Sequence, residues 1–122
     1  MKLSLLLTAA ALTLAPTTTA WRVYFYQLKD GQGPSITASG PGGTGSACHS
    51  VGSLNNKISS VRWYSDNSET NPTTRCCISM YQGLGCTGTN WGQSWCRNRF
   101  ADTSNFGADN QISSYQTDCY KV

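Results

Sequence analysis

Short runs of β-branched and aromatic residues alternate with clusters of Gly, Ser, Asn and Pro along the chain after residue 20. Such runs, bounded by turn residues, are typical of strands, and no stretch has the period of an amphipathic helix. The pattern therefore predicts an all-β domain. The predicted strands are 22–27, 36–39, 47–51, 57–64, 75–81 and 112–116, with weaker candidates at 93–96 and near Phe100.

The N-terminal segment has a different pattern. One lysine is followed by an apolar run over 3–14 and then by small residues that end at Ala20. This order is typical of a secretory signal peptide, and the run is shorter than the ~20 residues that cross a membrane. We therefore predict a signal peptide over 1–20, removed after Ala20, and one secreted domain over 21–122. A buried N-terminal helix is the alternative.

A hexamer occurs twice in the predicted domain, as N-N-K-I-S-S at 55–60 and D-N-Q-I-S-S at 109–114. The copies are 54 positions apart (109 − 55), and a Tyr-Gln pair precedes them by 29 (55 − 26) and 28 (109 − 81) positions. Two markers in register indicate an internal duplication. Motif one covers about 21–64 and motif two about 75–122, joined by the polar segment 65–74.

Each motif has about four short strands, too few to bury an apolar face alone, so two motifs are expected to pack as a β-sandwich with Greek-key connections. The isoleucines of the hexamers, Ile58 and Ile112, are expected to face the core and fix the strand register. The serines that follow them would then lie on the other face.

Cysteines add covalent cross-links to this picture. All six follow the predicted signal peptide, and an even number in a small secreted domain predicts three disulfides whose pairing the sequence does not choose. Zinc is a weaker alternative, because there is no paired C-x-x-C spacing and His49 is the only histidine. The six are Cys48, Cys76, Cys77, Cys86, Cys96 and Cys119.

A tyrosine and a glycine seven residues later recur at matching places, as Tyr26 with Gly33 and Tyr81 with Gly88. Together with the hexamers, which fit (N/D)-(N/D)-x-x-(S/T)-S, this pattern resembles a microbial βγ-crystallin domain. The resemblance implies a disulfide-stabilised, βγ-crystallin-like Greek-key β-sandwich of two repeated four-strand motifs. The family usually has an aromatic residue five positions after the tyrosine, where this chain has Gly31 and Cys86.

The resemblance also implies two calcium sites, each built by both motifs. In such domains carbonyl, amide or carboxylate oxygens of one hexamer meet a serine or threonine hydroxyl of the other. One site would use Asn55, Asn56, the Lys57 carbonyl and Ser113. The other would use Asp109, Asn110, the Gln111 carbonyl and Ser59. A further oxygen ligand is expected just after each tyrosine, at Gln27 and Gln82.

The chemistry of these ligands suits a hard cation. Calcium takes roughly 6–8 oxygens, and hydroxyls, amides and backbone carbonyls all qualify. The hexamers contain one carboxylate, Asp109, so we expect weak binding, roughly 10⁻⁴–10⁻³ M. The alternative is that the hexamers are turns entering strands and bind no ion.

Catalytic chemistry is sparse. His49 is the only imidazole, its neighbour Cys48 is expected to be oxidised, and no spacing pairs two of the acidic residues. We therefore predict that the protein is not an enzyme, with a small hydrolase dependent on His49 as a distant alternative. The net charge of +3 is too mild and too dispersed to indicate nucleic-acid binding.

The segment 91–100, W-G-Q-S-W-C-R-N-R-F, interleaves aromatic residues with arginines. If exposed, it would suit a membrane surface, a glycan or a protein partner. The alternative, which we favour, is that its aromatic side chains fill the core while the arginines are solvated. The candidate surface-binding residues are Trp91, Trp95, Arg97, Arg99 and Phe100.

These observations predict a secreted, monomeric, non-enzymatic protein in which calcium stabilises the fold. Proteins of the resembled family outside the eye lens include small, cysteine-rich, mildly basic antimicrobial and killer-toxin-like proteins. The alternative function is therefore a toxin, antimicrobial protein or host-interacting effector that acts on a cell surface or membrane.

Overall fold

The structure, a computed structural model, describes residues 19–41, 43–67, 72–91 and 94–122. Most of the predicted signal peptide lies outside these residues. Within them, none of the helical segments is long and apolar enough to cross a bilayer. The strands are β1 (Thr19–Tyr26), β2 (Ser35–Pro41), β3 (Gly45–Ser50), β4 (Ser60–Tyr64), β5 (Thr74–Gly83), β6 (Thr87–Asn90), β7 (Arg99–Asp102) and β8 (Ser114–Lys121). Short 3₁₀ turns cover Lys29–Gly31, Gly52–Leu54 and Thr103–Phe106.

The strands form two antiparallel four-stranded sheets. The first sheet has the order β2-β1-β4-β7, and the second has the order β3-β8-β5-β6. Strands β1 to β4 come from the first half of the chain, yet β3 lies in the second sheet, and β7 of the second half lies in the first sheet. This exchange of third strands makes two interlocked Greek keys. The predicted all-β sandwich of two four-strand motifs is confirmed.

The strands that follow the hexamers begin later than predicted. Strand β4 begins at Ser60 rather than 57, and β8 begins at Ser114 rather than 112 and continues to Lys121. The first residues of the predicted strands bond to turns instead: the Lys57 N–H donates to the Leu54 carbonyl, and the Ile58 and Ile112 carbonyls accept N–H groups of the other hexamer. The hexamer backbone forms a turn before each strand.

Two other strand assignments differ from the sequence pattern. The glycine-rich stretch 82–90 contains an unpredicted strand, β6, which pairs with the end of β5. Within the candidate strand at 93–96, Gln93 lies outside the described residues, and Trp95 forms a single β-bridge with Ile78.

The core fills the space between the sheets, and alternate residues of the central strands supply it. Trp63 and Phe25 are its largest fully buried side chains, and isoleucines and valines come next. Ile58 and Ile112 are also fully buried, which confirms that they face the core. The serines that follow them, which were expected on the other face, are buried as well. The buried serines are Ser59, Ser60, Ser113 and Ser114.

Three disulfides cross-link the molecule, which confirms the number predicted from the cysteine count. All three lie in or beside the second sheet, and the first sheet carries none. Cys76 and Cys119 face each other in the register of β5 and β8. The pairs are Cys48–Cys86, Cys76–Cys119 and Cys77–Cys96.

Candidate calcium sites between the two hexamers

The two hexamers lie side by side, and their backbones are joined reciprocally. The Asn56 N–H donates to the Ile112 carbonyl at 3.0 Å, and the Asn110 N–H donates to the Ile58 carbonyl at 3.0 Å. In each case an asparagine N–H of one hexamer donates to the isoleucine carbonyl of the other. The hexamers are therefore related by an approximate twofold arrangement across the interface between the motifs.

The tyrosine markers hold each hexamer in place. The Ser59 N–H donates to the Tyr26 carbonyl at 2.8 Å, and the Ser113 N–H donates to the Tyr81 carbonyl at 2.9 Å. Each hexamer is thus attached to the end of the first strand of its own motif. This bond gives a physical reason for the tyrosine and the hexamer to recur in register.

The first serine of each hexamer reaches the other hexamer. Ser113 Oγ donates to Asn56 Oδ1 at 3.1 Å, and Ser59 Oγ donates to Asn110 Oδ1 at 3.4 Å. The serines are buried, whereas both asparagines are exposed. A buried serine hydroxyl of each hexamer therefore contacts the side-chain oxygen of an exposed asparagine of the other motif.

These oxygen pairs fit a calcium ion. Two ligands about 2.4 Å from one Ca²⁺, at roughly a right angle, lie about 3.4 Å apart. The observed Oγ–Oδ1 separations of 3.1 and 3.4 Å are close to that spacing. The predicted carbonyl ligands, Lys57 and Gln111, directly follow the two asparagines. The donors are hydroxyl, amide and carbonyl oxygens, which are the ligand types that calcium prefers.

Negative charge at these positions is low. No group of three or more His, Cys, Asp or Glu side chains that could hold a metal occurs in the described ranges. The hexamer carboxylate, Asp109, is half-buried, and its Oδ1 accepts a hydrogen bond from Thr103 Oγ1 at 3.1 Å. Asn55, at the matching position of the first hexamer, is exposed, and its N–H donates to the Gly52 carbonyl.

Thr103 is a residue that the sequence pattern did not identify. It is fully buried; its Oγ1 is also 3.1 Å from the Ile58 carbonyl, and its N–H donates to the Ser59 carbonyl at 2.9 Å. Thr103 thereby joins the first hexamer to Asp109 of the second. The first motif has no equivalent threonine, because the strand pairs Ser50–Ser114 and Ser60–Asp102 place Val51 at the matching position. No repeated marker could have identified Thr103.

The glutamines after the tyrosines lie in different surroundings. Gln82 is exposed, and its Nε2 donates to Gln111 Oε1 at 3.5 Å, so it lies beside the predicted carbonyl ligand of its own motif. Gln27 is half-buried, and its backbone N–H donates to the Pro34 carbonyl at 2.9 Å. The side chain of Gln82 therefore contacts the hexamer of its own motif, whereas the bond described for Gln27 is made by its backbone.

The second serine of each hexamer has a different role, which sequence reasoning missed. Ser60 Oγ donates to the Leu28 carbonyl at 2.6 Å and accepts from the Gly31 N–H at 3.0 Å. Ser114 Oγ makes the equivalent pair with the Gly83 carbonyl at 2.6 Å and the Cys86 N–H at 2.9 Å. Each serine fastens the hairpin that follows the first strand of its own motif. The S-S ending of both hexamers is the signal that could have identified it.

Both hairpins fold although neither has the family's usual aromatic residue. Gly31 and Cys86, at that position, adopt left-handed backbone with φ of 69° and 58°. Glycine takes this conformation without steric cost, and Cys86 is held in it by its disulfide with Cys48. One hairpin therefore depends on a glycine and the other on a cross-link.

The candidate surface segment does not form one exposed patch. Trp95 is 7% exposed and packs edge-on against Phe106, while the Arg99 guanidinium lies 4.6 Å from the Trp95 ring centre. Trp91 is partly buried against the core, and Arg97 is exposed. Phe100, on β7, belongs instead to the outer face of the first sheet. The aromatic side chains of this segment therefore contribute mostly to packing, as in the alternative that we favoured from the sequence.

His49 is packed between aromatic rings. Its ring centre is 5.3 Å from that of Trp21 and 4.8 Å from that of Tyr115, and its Nε2 is 2.9 Å from Thr117 Oγ1. Burial lowers the pKa of His49 from its ordinary value of 6.5 and raises the pKa of Tyr115 to about 12. The neighbouring Cys48 is disulfide-bonded and so supplies no thiolate nucleophile.

Comparison with known proteins identifies the fold. No protein-family model matches the chain, and no curated protein sequence matches it significantly. Among solved structures, a βγ-crystallin from an archaeon is 24% identical over 79% of this chain and 95% of its own, with a TM-score of 0.55. The N-terminal domain of Protein S is 20% identical over 83% of this chain and 99% of its own, with a TM-score of 0.52.

A third structure, solved to trace the evolution of the eye-lens βγ-crystallin domain fold, is 16% identical over 89% of this chain and 94% of its own. Its TM-score is 0.58. At these identities the likeness establishes the fold. The interlocked Greek keys are those of a βγ-crystallin-like domain.

Proposed function

We propose that this βγ-crystallin-like domain is a secreted, non-enzymatic protein that binds calcium at two sites between its motifs and is stabilised by it. The observation that carries the proposal is the reciprocal approach of the hexamers, Ser113 to Asn56 and Ser59 to Asn110. Each site draws on both halves of the chain. An ion bound there adds contacts between the motifs that exist only in the folded state.

The expected stabilisation follows from mass action. A ligand that binds only the folded state contributes RT ln(1 + [L]/Kd). With few carboxylates the dissociation constant falls in the weak range of extracellular modules, roughly 10⁻⁴–10⁻³ M. At about 10 mM calcium the gain is then roughly 1.4–2.7 kcal/mol per occupied site. For a domain of this size each kcal/mol raises Tm by roughly 4–8 °C.

Thermal unfolding with and without calcium tests this proposal. We expect about 10 mM calcium chloride to raise the Tm of the disulfide-intact protein by at least about 5 °C, and magnesium chloride to have little effect. Replacing both ligand hydroxyls, Ser59→Ala with Ser113→Ala, should abolish the rise. The matched control is Ser35→Ala with Ser39→Ala, two exposed serines of β2, which should keep it.

Two results would contradict the proposal. One is a wild-type Tm that does not respond to calcium. The other is an unchanged calcium response in the Ser59→Ala, Ser113→Ala protein. Because the double variant loses two hydrogen bonds, its Tm without calcium is expected to be lower, so the calcium-induced difference is the quantity compared.

The second candidate function is action on a cell surface, as a toxin, antimicrobial protein or host-interacting effector. The segment 91–100, one of the features that suggested this function, is mostly packed and does not support it. The support comes instead from the outer face of the first sheet, where aromatic and arginine side chains face solvent. Three disulfides also suit an extracellular, oxidising environment.

A further inference from the structure

The outer face of the first sheet carries an unusual set of side chains. The inward residues of β1 and β4 fill the core, and the outward residues between them are aromatic or basic. Tyrosines, a phenylalanine and arginines form this surface, here called the aromatic–arginine face. Its members are Arg22, Tyr24, Tyr26, Arg62, Tyr64 and Phe100.

The rings and guanidinium groups of this face are in contact. Tyr24 stacks with Tyr26 at 6.2 Å and meets Tyr64 edge-on at 6.2 Å. The Arg62 guanidinium lies 4.6 Å from the Phe100 ring centre. In the strand register Tyr24 is opposite Arg62, and Arg62 is opposite Phe100. These side chains form one row across three strands. Because their neighbours already restrict their rotamers, binding a ligand costs less side-chain entropy.

The arginines of this face form no ion pair with a carboxylate of the described residues. Within the described ranges the structure has one ion pair, between Arg75 and Asp66, at 3.4 Å. Asp66 lines the same surface depression as Arg22 and Tyr64 but pairs with Arg75, and the Asp102 carboxylate accepts the Asp30 N–H at 2.8 Å. The guanidinium N–H groups of Arg22 and Arg62 are thus available to an anionic ligand.

Hydroxyl groups and shallow depressions complete the face. Strand β2 places Ser35, Thr37 and Ser39, all exposed, opposite the outward residues of β1. A depression of about 290 Å³ lies between Tyr24 and Tyr64, and another of about 190 Å³ lies between Tyr64 and Phe100. The two adjoin at Tyr64. They provide room for two consecutive ring-shaped units of a linear ligand.

We infer that the aromatic–arginine face binds an acidic polysaccharide, a chain of sugars that carry uronic carboxylates. The apolar C–H faces of sugar rings pack flat on aromatic rings, the guanidinium fork pairs with a carboxylate through two hydrogen bonds, and the β2 hydroxyls suit sugar hydroxyls. The mild net charge of +3 disfavours nucleic acid, whose binding depends on many phosphate contacts. This inference deepens the second candidate function by giving its target class, and it is independent of the calcium sites.

Isothermal titration calorimetry with an oligogalacturonate of about eight units tests the inference. The titrations contain EDTA, because such oligomers bind calcium themselves. We expect saturable binding to the wild type and loss of affinity by at least about tenfold in Tyr24→Ala and in Arg62→Lys, which keeps the charge but not the fork. The control Lys121→Ala, which removes one positive charge at the end of β8 in the other sheet, should bind like the wild type.

The remaining measurements decide between partners. The fully methyl-esterified oligomer, which lacks the carboxylates, should bind at least about tenfold more weakly. The inference is overturned by absence of saturable binding, by an equal loss in Lys121→Ala, or by tighter binding of single-stranded DNA or phosphatidylserine vesicles. Near-UV circular dichroism reports whether Tyr24→Ala folds, and Arg62→Lys decides the question if it does not. Failure here leaves the calcium-induced rise in Tm unaffected.

Discussion

Burial of the one histidine couples its protonation to unfolding. His49 lies between the rings of Trp21 and Tyr115, and burial lowers its pKa from 6.5. The unfolded chain therefore binds a proton more readily than the folded one in the range just below pH 6.5. Stability rises with pH wherever the unfolded state binds more protons, so this contribution is complete above pH 6.5 and decreases as the pH falls towards the folded-state pKa.

We expect His49→Gln to flatten the acid side of the stability profile. Wild-type Tm should fall between about pH 7 and 5 by more than that of the variant, since glutamine does not titrate. Tyr115, with a pKa of about 12, stays neutral in this range, and the carboxylates are common to both proteins. Melting curves at closely spaced pH values measure the difference. Parallel profiles for the two proteins would refute the coupling.

The two hairpins after β1 and β5 are equivalent in their serine bonds but not in their covalent support. Ser60 fastens the first hairpin and Ser114 the second. Only the second hairpin is also attached to β3, through Cys48–Cys86. Loss of the serine bonds should consequently release the two hairpins to different extents.

Ser60→Ala should open its hairpin more than Ser114→Ala opens the other. Each substitution removes one buried donor and acceptor, at a cost of about 1–3 kcal/mol to global stability. Hydrogen–deuterium exchange should then show greater loss of protection over 27–34 in the first variant than over 82–88 in the second. In a Cys48→Ser, Cys86→Ser background the losses should become similar. Equal losses with the disulfide intact would show that the cross-link does not support the hairpin.

Elements that bury an alternating face could be predicted from the sequence, and those that depend on tertiary contacts could not. Strands β1 and β5 have clear runs of apolar residues, and the hexamers with their tyrosines revealed the duplication. Strand β6 is exposed at all four positions, so no burial pattern marks it, and it exists because the edge of β5 is available.

The candidate site shows the same division. The cross-motif pairing of Ser59 and Ser113 was implied by the resemblance to βγ-crystallin domains, and the structure brings those side chains to the other copy's asparagines. The bonds from Thr103 to Asp109 and Ile58 depend on a hydroxyl that the first motif lacks, because the strand register places Val51 at the matching position. The disulfide pairing was equally inaccessible, since it follows from which strands become neighbours.

At the scale of the whole molecule, covalent reinforcement is one-sided. All three disulfides lie in or beside the second sheet, whereas the first sheet is held by packing and hydrogen bonds. Cross-links stabilise mainly by restricting the unfolded chain, so partial unfolding that frees only the first sheet gains more entropy than unfolding of the second.

Native-state hydrogen exchange should therefore be faster in the first sheet. We expect amides of β1 and β4 to exchange through openings of lower free energy than those of β5 and β8, by about 1 kcal/mol or more. Reduction of the disulfides should narrow the difference. Equal protection of the two sheets in the oxidised protein would contradict a one-sided reinforcement.

The exchange of third strands has a consequence for the order in which the protein can fold during synthesis. Strand β8, the last of the eight to leave the ribosome, lies between β3 and β5 in the centre of the second sheet. Although domains can begin to fold as their N-terminal parts emerge, β3 has no partner until β8 arrives. The disulfides Cys48–Cys86 and Cys76–Cys119 likewise need cysteines synthesised later, so this sheet forms only after β8 has been synthesised.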